Sequence, residues 1–126
     1  MKKIYDILLD GKRIGTTQFE HVDPPMGVVF GQADFVDIDS VYEFFRNYCD
    51  QNKIGFTDYP EDKLIQTRTI PNLKVIDETG IEIKGQGNQI SGMDSDVYEL
   101  TIEGIPYPFF GEQFPLHVKD YEERFQ

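Results

Sequence analysis

Apolar residues recur along this chain with two different periods, and each change of period marks an element. From Ile4 to Leu9 the run is apolar apart from Asp6, with Tyr5, Ile7 and Leu9 on one side of an extended backbone. Asp10-Gly11 follows, and glycine accepts the positive φ that tight hairpin turns need. Arg13 to Glu20 resumes with Ile14, Thr16, Thr17 and Phe19, so residues 3–9 and 13–20 predict a β-hairpin. Asp23-Pro24-Pro25 ends that run, because proline donates nothing to a sheet ladder. Val28, Val29 and Phe30 come next as a short buried piece between Gly27 and Gly31. The stretch from Asp23 to Gly31 therefore predicts a hinge that turns the hairpin over onto the rest of the chain.

The period then changes to that of a helix. Val41, Phe44, Phe45, Tyr48 and Cys49 follow the i, i+3, i+4, i+7, i+8 spacing of one helical face. Ser40 stands at the N-cap position with Glu43 three residues on, the pattern of a capping box. Arg46 is spaced to pair with Glu43 or Asp50. These features predict a helix over 41–51, with its Phe44, Phe45 and Tyr48 face packed on a sheet. Residues 56–62 predict a polar loop. Strand patterns return at 63–70, 73–77, 81–84 and 97–103, with Glu78-Thr79-Gly80 as a hairpin signal between the second and third. The Gly- and Ser-rich stretch 85–96 predicts either a loop or a bulged strand through Gln89–Ser91. A short helix around Lys119–Phe125 is the expectation for the tail. The fold class expected is α+β: a mostly antiparallel sheet of about six or seven strands with the 41–51 helix packed on it.

Composition bounds this picture without changing it. A chain of 126 residues fits a single domain, 1–126, and its ten Phe and seven Tyr supply a core without disulfide or metal. The one cysteine, Cys49, forms no internal disulfide and fits a reducing compartment. The apolar run of the N-terminus is broken by Asp6 and closed by Asp10, and no segment approaches a membrane span, so a soluble cytoplasmic protein is the expectation.

Charge does change the picture. Asp and Glu number 23 against 12 Lys and Arg, a formal net charge of −11. Phosphate-contacting nucleic-acid binders need a basic footprint, so nucleic acid is not an expected partner. A basic protein would be attracted and steered. Solubility alone also accounts for an acidic surface.

Candidate chemistry is sparse. Cys49 on the apolar helix face reads as a buried structural thiol. His21 and His117 make no metal spacing, although a catalytic pair across space is an alternative. Asp37 and Asp39 read as favourable charge at a helix N-terminus, and neither acidic pair continues into a calcium loop. No cofactor or metal is expected. That leaves surfaces. Asp94, Asp96, Glu99 and Glu103, with Tyr107 and Phe110 as aromatic anchors, are the candidate partner-binding residues.

Two blocks carry a resemblance. Asp23-Pro24-Pro25-Met26-Gly27-Val28-Val29-Phe30-Gly31 and Ile105-Pro106-Tyr107-Pro108, the latter followed by Phe114-Pro115-Leu116-His117-Val118-Lys119-Asp120-Tyr121-Glu122, resemble a set of uncharacterised small bacterial proteins. Such small, acidic, motif-poor chains look like immunity proteins that neutralise a cognate toxin, often a basic nuclease. The resemblance implies one fold and a bacterial origin; the binding-protein expectation comes from the composition. A homodimer paired through a sheet edge is the alternative, and a small enzyme using His21 and His117 a more distant one. The two blocks are expected to touch, with Met26 or Phe30 near Tyr107.

Overall fold

Alternating burial decides which way each strand faces. In β1 (Tyr5–Leu9) the buried residues Tyr5, Ile7 and Leu9 share one side, as their spacing predicts. β1 pairs with β2 (Lys12–Thr17), where an extra residue, Ile14, lets both Ile14 and Gly15 turn inward. The expected fold class holds: this is an α+β protein built on one antiparallel sheet. The computed structural model describes residues 3–124, apart from the side chains at positions 116, 117, 120, 121 and 124.

The remaining elements are β3 (His21–Asp23), β4 (Val28–Phe35), α1 (Val41–Gln51), β5 (Phe56–Tyr59), β6 (Leu64–Thr67), β7 (Leu73–Ile76), β8 (Gly87–Met93), β9 (Tyr98–Glu103), α2 (Phe109–Gln113) and α3 (Pro115–Arg124). The nine strands run in the order β5-β6-β8-β9-β4-β2-β1-β7, with β3 on β4 beside β2. Of the two alternatives for the Gly- and Ser-rich stretch 85–96, the strand holds: β8 carries Gly87–Met93 in the middle of the sheet between β6 and β9. Two expectations need correction. Residues 56–62 are not a loop: Phe56–Tyr59 is an edge strand, followed by a single 3-10 turn at Pro60–Asp62. Residues 81–84 do fold back on β7, but only through an isolated bridge from Glu82 to Ile76.

The sheet curls. β7 lies five places from β8 along the sheet order, which in a flat sheet would separate them by about 24 Å. Instead the Asn88 side chain donates to the Leu73 carbonyl at 2.6 Å, and Ile70 N–H donates to the Asn88 carbonyl at 2.9 Å. The inner side of this open barrel holds Ile7, Val29, Ile65, Leu73, Val75, Ile90, Leu100 and Ile102. Helices close its two ends. α1 lies at the end where β4 finishes, with Phe45 against Phe35 at 5.4 Å between ring centroids. α2 and α3 lie at the other end, where Phe110, Phe114, Tyr5 and Phe19 form a continuous ring cluster.

The Asp23–Gly31 stretch does reverse the chain. Pro24–Met26 forms a 3-10 turn that ends at Gly27, whose φ is +64°. A Cβ at Gly27 would stand 2.6 Å from the Ile105 carbonyl oxygen, so only glycine fits there. Gly31 faces the kink between β2 and β3, where a Cβ would meet the Phe19 backbone at 2.8 Å. The two blocks touch as expected, through different atoms. Ile105 N–H donates to the Gly27 carbonyl at 2.9 Å, and the Tyr107 hydroxyl donates to the Pro24 carbonyl at 3.3 Å. Met26 is 67% exposed, and Phe30 instead stacks on His21 at 4.8 Å.

Candidate functional site

The six residues singled out from the sequence do not form one patch. β9 carries them apart: Asp94 and Asp96 precede it, while Glu103 ends it and Tyr107 follows, roughly 20 Å away along an extended strand. Phe110 is fully buried against Phe114 and Tyr107, so as a partner anchor it is a correction to the sequence reading. Tyr107 is 54% exposed, with its hydroxyl bonded to Pro24. Glu99 projects from the outer wall of the barrel between Ser91 and Gln32, because its neighbours Tyr98 and Leu100 face inward.

Asp94 has a structural task. Its carboxylate accepts from the Ser40 hydroxyl at 2.5 Å, from Tyr42 N–H at 3.0 Å and from the Tyr98 hydroxyl at 2.7 Å. Ser40 in turn accepts from Glu43 N–H at 3.2 Å, the N-cap bond that the sequence predicts. Asp94 thus reaches across from the β8–β9 turn to finish the cap of α1. Partial burial would raise its pKa, but the hydrogen bonds from Ser40, Tyr42 and Tyr98, with the nearby Lys63 charge, hold it below the usual carboxylate range. The same burial, followed by the Asp94 hydrogen bond, pushes the Tyr98 hydroxyl up. Arg46 also departs from its expected partners: its Nε meets Asp58 at 3.3 Å rather than Glu43 or Asp50, and Asp58 also accepts from the Tyr42 hydroxyl.

The thiol and His21 add little chemistry. Cys49 is buried in the core, and burial pushes its pKa to about 11, which leaves it protonated. The His21 ring lies on Phe30 at the barrel wall. The side chain of His117 lies outside the described residues, so the proposed pairing with His21 does too. Among the described residues no three of His, Cys, Asp and Glu come together in a way that could hold a metal.

A concavity lies at the α1 end. It is a groove of about 700 Å³ between the β1–β2 turn, the 36–40 loop and one flank of α1. Its origin is in the helix face. Tyr42, Phe45 and Cys49 turn fully into the core, which leaves Phe44 and Tyr48 half-buried at the margin of the helix. Phe44, Val36 and Ile38 supply an apolar floor, and Val36 is 42% exposed. Asp10, Asp37, Asp39 and Glu43 stand around it, with Lys12 and Arg13 at the hairpin tip. Arg13 is engaged by Asp6 at 2.9 Å, and the Tyr48 hydroxyl reaches across to Asp10 at 3.2 Å. Sequence reasoning assigned Asp37 and Asp39 to the helix N-terminus and did not connect them with Asp10. A hairpin turn and a helix flank carry no mutual signal in the sequence.

Comparison with known proteins adds no relative: no family model matches the chain, and neither curated proteins nor solved structures yield a match.

Proposed function

We propose that this chain is a binding protein for a basic protein partner, acting in the cytoplasm as an immunity protein that occludes the active face of a cognate toxin. The observation that carries the reading is the state of its carboxylates. The chain has 23 acidic residues, yet among the described residues only Asp6, Asp58 and Glu123 have a Lys or Arg within 4 Å. Few of the described carboxylates are therefore held in internal ion pairs, although Asp94, Asp77 and Asp10 accept hydrogen bonds within the chain. Carboxylates held on a rigid barrel can stand in for the phosphates that a basic nuclease binds, and like charges on one surface steer such a partner in. Among the described residues no helix is long and apolar enough to cross a membrane. The test is co-purification with the product of the adjacent gene at low and high salt, together with survival of cells expressing that product. A complex that weakens with salt and protects cells is expected. Neither a complex nor protection would overturn the reading.

A further inference from the structure

We propose that the groove between the β1–β2 turn and α1 is the docking surface, and that its occupant is a short basic segment with at least one apolar side chain set between its cations. This rests on the basic-partner reading above and locates it on the molecule. The floor and the rim make different demands, and together they define the occupant. Phe44, Val36 and Ile38 present half-buried or exposed apolar surface that a purely cationic segment would leave uncovered. Asp37, Asp39 and Glu43 have no cation within 4 Å among the described residues. A neutral apolar segment would strip water from these carboxylates and return nothing. A segment that alternates the two chemistries satisfies both. The groove volume of about 700 Å³ takes a few side chains, in the size range of clefts that hold small ligands.

The β8–β9 turn meets the same first turn of α1, through Ser40, but its carboxylate is not available in the way the groove's are. The Asp94 carboxylate is already committed to Ser40, Tyr42 and Tyr98. Its replacement by a partner contact would undo the α1 cap. The groove carboxylates have no such duty except Asp10, which accepts from Tyr48.

The experiment uses a short Lys-rich peptide with one central leucine, and the same peptide with that leucine replaced by glutamine. Each is titrated into the isotope-labelled protein at low salt while backbone amide shifts are followed. Shifts are expected to cluster at 10–14, 36–40 and 43–48, with the leucine peptide binding about tenfold tighter, as burial of one leucine implies. Reversing both Asp39 and Glu43 to Lys should weaken binding about tenfold or more, whereas the equal charge change of Asp96→Lys with Glu103→Lys should alter it about threefold or less. Asp39 and Glu43 flank the start of α1, so the shift map of the unmodified protein is read independently of whether that variant folds. Equal weakening by both reversals, or shifts spread evenly with no leucine preference, would overturn the groove and leave the general attraction to basic proteins standing. Failure of both peptides to bind at low salt would count against the basic-partner reading as well.

Discussion

The two ends of the barrel are both closed by helices, and they are closed by different physics. At the α2–α3 end, Tyr5, Phe19, Phe110 and Phe114 pack ring against ring, with centroids 5.0 to 6.2 Å apart. The chain there is stapled by backbone contacts at Gly27 and Ile105. At the α1 end, one aromatic face does the packing, and hydrogen bonds accepted by the Asp94 and Asp58 carboxylates from Ser40 and Tyr42 do the rest. A dry aromatic plug is non-directional and tolerates little loss of volume. A hydrogen-bonded clamp holds a helix by its first turn and leaves one flank free. At this end the half-buried Phe44 and Tyr48 flank of α1 lines the groove.

Truncations in the core should have the largest effect. Phe110→Ala and Phe45→Ala each remove a fully buried ring, one at either end, and each should cost about 3–5 kcal/mol in chemical denaturation. A Phe45→Ala cost similar to that of Phe44→Ala would break the distinction between the core face and the groove flank of α1. Next comes Gly27→Ala. With φ +64° and the Ile105 carbonyl 2.6 Å from the new Cβ, it should lose about 1–3 kcal/mol and loosen the α2–α3 end, visible as faster amide exchange at Ile105. Asp94→Ala removes the acceptor for Tyr42 N–H and should lose about 0.5–2 kcal/mol, with exchange rising in the first turn of α1 while Phe110 and Phe114 are unaffected.

The smallest effect is set by pH. Slight burial of Asp77 favours its neutral form, but hydrogen bonds from Thr79, Ile81 N–H and Gln113 outweigh this and bring its pKa down to about 2. A carboxylate with a lowered folded pKa adds stability above its unfolded pKa, and that stability is lost as pH falls through the folded value. Between about pH 4 and pH 2 the 77–81 turn and its tie to α2 should therefore weaken. Asp94, also lowered, should weaken the α1 clamp in acid in the same sense. Melting curves in that window for the wild type and Asp77→Asn would show it. A midpoint as pH-dependent in the variant as in the wild type would remove Asp77 as a cause.

Much of the fold was legible because local periods are strong where one face is buried. β1, β9 and α1 alternate or repeat over their whole length, and the structure places them as the spacing implies. β8 was half legible. Its glycines and serine have weak strand preference, and neighbours on both sides supply the pairing that its own sequence does not. β5 was missed because an edge strand of four residues with alternating exposure resembles a polar loop. The candidate patch failed for a related reason. Residues close in sequence around β9 are not close in space, because a strand carries neighbours apart and turns them to opposite faces.

The sequence by itself determined the α+β class, the hairpin, the capped helix, the acidic balance and the buried state of Cys49, because each depends on spacing or composition within one stretch. Only the tertiary structure decided the curl of the sheet, the use of Asp94 as a cap for a distant helix, and the meeting of Asp10 with Asp37, Asp39 and Glu43 around one groove. Those depend on which strand edges pair across long loops. Pairing energy is nearly the same for many registers until the burial of a whole face selects one.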